Sequence, residues 1–430
     1  MNTILSDDFK KSRLLYTIEA ALEYLISILV AGSFLATLTK ELGFSDSLTG
    51  IMSSIISLGC LFQLLSLSIR RYHQKRFVTT LSIINQILFL LLYAVPLTNF
   101  NQKTKTVIFI ILIFSAYIIY NLAHPKKISW LMSFVEDHHR GRFTANKEII
   151  SLLSGMIFSF AMGSVVDHFT EIGKTRIAFI ISAAVIFVLM VSHSLTMIFS
   201  AETPTPPPSE KNFKGTLKEL LRNKNLLHVT LVFVLYYIST YISTPFFATY
   251  QINELGLSLK FITAITMCGS ISRIAVSRFW GRYADKNSFA VMIEKCLIFL
   301  AASNVCVVFA SPSNGAIMFV LYYILHGIAL GGINSALMNM IFDYIPPEKR
   351  ADSLAITQAF AGLTGFLTTL CISPLVSFIQ NSGNKILGVN IYAQQFVSLL
   401  AFVTLVLAIL FVRYFIIKGT QKVNNDDKKA

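Results

Sequence analysis

The chain reads as an all-α polytopic membrane protein, with twelve spanning helices in two pseudo-symmetric bundles of six. Three observations predict this. Charged residues are 13% of the 430 and hydrophobic residues 54%, with a mean hydropathy of +0.65; a soluble domain carries about 25% charged residues. Apolar stretches long enough to cross about 30 Å of hydrocarbon, roughly 20 residues each, recur twelve times. Three landmarks of the first half also return in the second half in the same order.

In order, the predicted spans are 14–38, 47–69, 77–98, 105–134, 143–166, 176–200, 226–252, 259–280, 288–311, 315–343, 351–379 and 391–417. Segments this long satisfy their backbone hydrogen bonds as helices rather than barrel strands. The first follows "MNTILSDDFKKSRLL" and is too long for the apolar core of a cleaved leader, so it is read as a retained helix. An even number of spans permits both termini to be cytoplasmic. Most of the 36 lysines and arginines then fall in or beside cytoplasmic segments. This is the positive-inside asymmetry. The net charge of +14 therefore orients the chain in the cell membrane and implies no nucleic-acid partner.

Within span one, Tyr16, Glu19, Glu23 and Ser27 share one helical face. Glu23 lies about 14 Å along the helix from Leu14, at 1.5 Å per residue, while Glu19 is shallower and reads as interfacial. Span four places Lys126 and Lys127 directly after Pro125, which removes a hydrogen bond to the carbonyl of Asn121 and predicts a kink. The two lysines are about 100° apart, so one of them faces inward. An ionisable residue inside a span costs about 2.5–3.5 kcal/mol on insertion scales and faces a cavity or a partner. Two roles stay open for a buried carboxylate beside buried cations. It is a structural ion pair, or it couples to protons, since burial favours the neutral acid and a cation favours the charged one.

Residues 201–225 separate the halves, giving a bundle at 1–200, a linker at 201–225 and a bundle at 226–430. "TPTPPPSEKNFKG" cannot be a membrane helix, and "TLKELLRNKN" reads as a short amphipathic helix at an anionic surface, or as a tether. In span seven, Tyr237, Thr240, Tyr241 and Thr244 lie on one face ahead of Pro245. They suit hydrogen bonds and ring stacking with a polar solute, or ordinary packing. Span eight carries Arg273. Span ten has Asn334 where span four has its charges, and Gly327 and Gly331 make a small-xxx-small step for close helix contact. Glu294 and Lys295 lie near an interface and are expected to snorkel. The five cysteines sit in apolar segments without metal-ligand spacing and read as small core residues.

The landmarks are "ELGFS" at 41–45 and "ELGLS" at 254–258, then "IRRYHQKRF" at 69–77 and "WGRYADKNSF" at 280–289. "HRGRFTANKE" at 139–148 and "KRADSLAITQ" at 349–358 complete the set. The stretch "GRYADKNS" resembles the signature loop G-x-x-x-D-(R/K)-x-(G/S) of the major facilitator superfamily of transporters. "HRGRFTA" and "PPEKRADSLA" are similar to its P-x-x-R-G-x-A loops. The resemblance covers essentially the whole chain in topology. It implies that spans one, four, seven and ten line a central cavity. It also implies that Asp285, with Gly281, Arg282 and Lys286, latches onto the helix start of span five near Arg142, with Arg350 in the equivalent loop. A carboxylate at a helix N-terminus gains about 0.3–1 kcal/mol, and up to about 2 when partly buried, and Gly281 would let the backbones approach. The first-half copy departs from the pattern, with Gln74 where an aspartate is expected.

There is no G-x-x-x-x-G-K-[ST] loop, H-E-x-x-H or G-x-S-x-G, which argues against a nucleotide-driven pump or a hydrolase. The adjacent His138 and His139 point to different helix faces, and no metal or cofactor is expected. The resemblance thus implies a non-enzymatic secondary transporter, read as a monomer, that moves a small polar solute such as a sugar by alternating access with proton symport. Its candidate pathway is Glu19, Glu23, Lys126, Lys127, Arg273, Tyr237, Tyr241 and Asn334. The alternatives are an exporter of drugs or organic anions on the same fold, and a polytopic enzyme acting on lipid-linked substrates. Span five lacks the G-P-x-x-G-G element of similar drug antiporters.

Overall fold

A computed structural model of the chain describes residues 2–68, 74–135, 140–202, 222, 224–342, 350–386 and 389–418. Twelve helical segments among them are long and apolar enough to cross a membrane: Phe9–Glu41, Asp46–Leu65, Gln74–Leu97, Gln102–Met132, Asn146–Glu171, Thr175–Phe199, Leu226–Glu254, Leu259–Asn287, Phe289–Val308, Gly315–Ile341, Ser353–Asn381 and Ala393–Ile417. They are called spans one to twelve below. The only strands among the described residues are a two-residue antiparallel pair, Lys385–Ile386 with Val389–Asn390.

The chain folds as two compact units. The first comprises Met1–Ser45, Phe62–Ser209 and Ser258–Ala264; the second comprises Asp46–Leu61, Glu210–Leu257 and Ile265–Ala430. In the first, span one packs against spans five and six, and span three against spans four and six. In the second, span seven packs against spans eleven and twelve, and span nine against spans ten and twelve. Every helix pair of one list has its counterpart in the other. The first unit buries a core around Tyr16, Trp130, Phe134 and Met197. The second buries cores around Phe246 and Val397 and around Phe247, Tyr250 and Phe319.

The repeated "ELGxS" stretches explain themselves in the backbone. Gly43 and Gly256 end their helices at φ +65° and +63°, the left-handed region that costs glycine nothing. Phe44 N–H returns to the Thr39 carbonyl at 3.0 Å, closing the helix with a Schellman turn. In the second copy a π-turn at Tyr250–Glu254 lengthens the closure, and Leu257 N–H reaches the Gln251 carbonyl at 2.8 Å.

Three sequence expectations change. Span one is two helices, Asn2–Leu29 and Gly32–Glu41, with Gly32 at φ +52° in the break. Gly281–Lys286 is not a turn between helices but part of the helix Leu259–Asn287, which stops at Ser288; the glycine is tolerated within an otherwise helix-forming run. Cys371 is exposed rather than a core residue. The stretches 69–73, 136–139, 203–221 and 343–349, which include most of the first-half loop, His138, His139 and the linker, lie outside the described residues.

Candidate functional site

Among the described residues, two groups of polar side chains inside the spans, one in each unit, bear on function. In the first unit, Glu19 and Glu23 stand one turn apart on span one, as their i, i+4 spacing requires. Both carboxylates reach the same ammonium. Lys127 Nζ of span four lies 2.9 Å from Glu19 Oε1 and also pairs with Glu23 Oε2. Glu19 is not interfacial, as its shallower position suggested, but 2% exposed; Lys127 is 4% and Glu23 26% exposed. Lys126 is partly buried, so Lys127 is the one of the two lysines that enters the cluster.

Span six supplies a member that the sequence reading overlooked. His193 is fully buried, and its Nε2 lies 2.9 Å from Glu19 Oε1. With the hydrogen on Nε2 it donates to the carboxylate. Glu19 Oε2 and His193 Nδ1 are buried and make no hydrogen bond to a described residue. At the rim, Lys147 of span five sits 4.6 Å from the centre of the Tyr16 ring and donates to the Tyr16 hydroxyl at 3.2 Å. The ligand atoms of Glu19, Glu23 and His193 lie within 4.8 Å of one another, a spacing at which three donors can share a divalent ion. The Lys127 ammonium, paired with both carboxylates, already supplies the positive charge there and would repel a second cation. A residue inside a span that can ionise was the signal for His193, and it applies to span six as it does to spans one and four.

In the second unit, spans seven, ten and eleven line an open cavity of about 350 Å³. Phe233, Tyr236, Tyr237, Thr240 and Tyr241 line it from span seven at i, i+3, i+4, i+7 and i+8, one face of a helix. Span ten adds Asn334, Leu337 and Met338, and span eleven adds Leu354 and Gln358. The structure thus brings three predicted residues, Tyr237, Tyr241 and Asn334, into one lining, together with Tyr236 and Gln358, which the sequence reading did not single out. The Tyr237 and Tyr241 rings stack, with centroids 5.8 Å apart and planes 21° apart. Tyr241 is seated from behind by span eleven. A Cβ at Gly365 would lie 2.8 Å from Tyr241 Cδ2, and the Thr369 hydroxyl donates to the Tyr241 carbonyl at 2.8 Å. Arg273, half-buried on span eight, is not in this lining. Among the described residues, the lining contains no charged side chain.

Gly327 and Gly331 behave as their spacing predicts. A Cβ at Gly327 would lie 2.1 Å from the Gly269 carbonyl oxygen, and one at Gly331 would lie 2.8 Å from Val276 Cγ2, so span ten crosses span eight nearly backbone to backbone. Glu294 is buried beside Arg413, whose Nε is 3.6 Å away.

The residues of the expected latch are placed as follows. Gly281, Arg282, Asp285 and Lys286 are exposed on the last turns of span eight. A Cβ at Gly281 would meet nothing within 4 Å among the described residues. The side chains of Arg142 and Arg350 lie outside those described. At the other end of span eight a carboxylate is engaged. Asp167, from the end of span five, accepts from Leu259 N–H at 2.9 Å and from Lys260 N–H at 2.6 Å. It thereby satisfies two of the helix's first free donors.

Twelve spans in two copies of one helix-packing scheme, with ionisable and aromatic groups inside them, define a polytopic transporter fold. Residues 20–369 match the Major Facilitator Superfamily, and the chain belongs to that family. None of the curated proteins searched matches it in sequence. Among solved structures it is similar to a mutant of the nucleoside transporter NupG, at 14% identity over 94% of this chain and 100% of that one, with a TM-score of 0.72. A D-xylose–proton symporter aligns at 12% identity over 94% and 96%, with a TM-score of 0.65. A bacterial homologue of the lysosomal transporter Spinster aligns at 13% over 95% and 96%, also at 0.65.

Proposed function

We propose that the chain is a secondary transporter of the cell membrane that moves a small uncharged polar solute by alternating access, driven by protons. The observation that carries this reading is the buried cluster on spans one, four and six. Within ion-pairing distance it holds two carboxylates for one ammonium, and the His193–Glu19 contact offers a further place for a proton. Glu23 is the member open to exchange, being the most exposed of the three. In this scheme a proton on Glu23 frees Lys127 to pair with Glu19 alone, and release of that proton restores the double ion pair. The tyrosine-lined cavity of the second unit is the place for the solute. Its uncharged lining weighs against an organic anion, which would need a cation beside it. The folds that align include a D-xylose–proton symporter, which is compatible with this coupling.

The test uses purified protein in liposomes loaded with a pH-sensitive dye and supplied in turn with sugars, nucleosides and dipeptides. Wild-type protein should acidify the interior when a transported solute is added, without ATP. Glu23→Gln should abolish that acidification while still exchanging labelled for unlabelled solute. Full acidification by Glu23→Gln would remove the proton role. No flux of any solute by wild-type protein would remove the transport reading itself.

A further inference from the structure

From the cavity of the second unit we infer the substrate class: an uncharged nucleoside, with its base on the tyrosine faces and its edge read by two amides. This rests on the transport reading above and sharpens it. The first element is shape. Tyr236, Tyr237 and Tyr241 supply the aromatic side of the cavity, and Leu337, Met338 and Leu354 contribute apolar surface from the other two helices. A planar ring with two apolar faces can use both kinds of wall. Base-on-aromatic stacking is tolerant of which base is present, because every base has a π-face.

The second element is the pair of amides. Asn334 of span ten and Gln358 of span eleven line the cavity, and neither side chain makes a hydrogen bond to another described residue. Each amide offers a donor and an acceptor side by side. That is the pattern that pairs bidentately with a base edge carrying an adjacent donor and acceptor. The Tyr237 hydroxyl, which makes no hydrogen bond to another described residue, is placed to meet a pentose.

The third element is charge and polarity. With no cationic side chain among the described lining residues, a 5′-phosphate would have no cation of the lining to pair with, which disfavours nucleotides. A free hexose or pentose fits less well than a nucleoside. Its ring of hydroxyls would turn several polar groups against Leu337, Met338 and Leu354, and each unmade hydrogen bond costs free energy. The volume of about 350 Å³ is at the lower end of the roughly 300–1,000 Å³ typical of small-molecule sites, which suits one such solute.

The experiment is equilibrium binding of tritiated uridine and tritiated adenosine to the purified full-length chain, with competition by xylose, glucose and uridine 5′-monophosphate. Saturable nucleoside binding is expected, displaced by unlabelled nucleosides and not by the sugars or the monophosphate. Tyr237→Leu should weaken it by about 5- to 150-fold, the loss of one stacked base, and Tyr237→Phe should restore most of it. Gln358→Ala, at a half-buried position, should weaken binding by about tenfold or more while the protein stays monodisperse; this variant decides the matter if Tyr237→Leu misfolds. Absence of binding of both nucleosides, equal binding of the monophosphate, or unaltered affinity in folded Gln358→Ala would overturn the inference. Sugar-driven acidification without nucleoside binding would overturn this inference alone and leave the transporter reading standing. Nucleoside binding without any flux would do the reverse.

Discussion

The two units repeat one arrangement of helices and fill it with opposite chemistry. Aligned on the repeated "ELGxS" turn, Glu23 of span one stands opposite Tyr236 of span seven. Aligned on "HRGRFTANKE" and "KRADSLAITQ", Lys127 stands opposite Leu337 and His124 opposite Asn334. The first unit therefore keeps its polar interior as a charged cluster tied to itself, and the second keeps its own as a cavity lined by hydroxyls, amides and rings. A buried ion pair is a good switch and a poor general-purpose receptor, because each partner is already committed to the other. A neutral lining whose amides make no hydrogen bond to another described residue is the converse. On the proposed function, duplication of a bundle would allow energy coupling and solute recognition to be held on separate copies.

The sharpest way to break this comparison is Lys127→Ala. It leaves Glu19 and Glu23 facing each other in a buried site. Breaking a buried pair by removing one partner costs about 3–5 kcal/mol, so the detergent-solubilised protein should lose most of its thermal stability. Neutralising the leftover charge in Lys127→Met/Glu19→Gln should recover much of it. Equal stability of Lys127→Ala and wild-type protein would show that the cluster contributes little to the first unit.

The second unit should be sensitive in a different currency, that of space. In Gly327→Ala the new methyl would begin 2.1 Å from the Gly269 carbonyl oxygen, a backbone atom that cannot rotate away. Overpacking of this kind costs about 1–3 kcal/mol. The variant should unfold at lower temperature and bind solute more weakly, because span ten carries Asn334. The Glu19–Lys127–Glu23 cluster, on the other unit, should retain the response to Glu23→Gln in the same background.

The helices and their repeat were legible in the sequence because hydropathy and turn residues are local signals. "ELGFS" and "ELGLS" announce the glycine closures that the backbone uses. The face of span seven was also legible, since i, i+3, i+4 spacing fixes which side chains point together. What spacing does not fix is depth and partnership across the chain. Glu19 read as interfacial because it precedes Glu23, yet its burial depends on span six, where His193 lies 174 positions away. Gln358 carries no local mark that it faces span seven. The stretch around Gly281 read as a turn because it is charged and holds a glycine, but Arg, Tyr, Ala and Lys are compatible with helix, and the helix continues to Asn287.

The smallest expected effect separates the two ends of span eight. Asp285 lies in its last turns, where a carboxylate faces the negative end of the helix dipole, and it is exposed. Asp167 sits at the favourable end and accepts two backbone hydrogen bonds there. Gly163, one turn before Asp167, makes the approach possible, since a Cβ there would lie 2.9 Å from Thr263 Oγ1. Asp167→Asn keeps the shape and one acceptor oxygen but removes the charge, so a loss of about 0.3–1 kcal/mol is expected, within the range for a charge at a helix end. The loss should shrink in high salt. Asp285→Asn should leave thermal stability unchanged and lower transport if the resemblance to the signature loop carries its function. Measured side by side, a stability loss in Asp285→Asn and none in Asp167→Asn would reverse the assignment of the two ends.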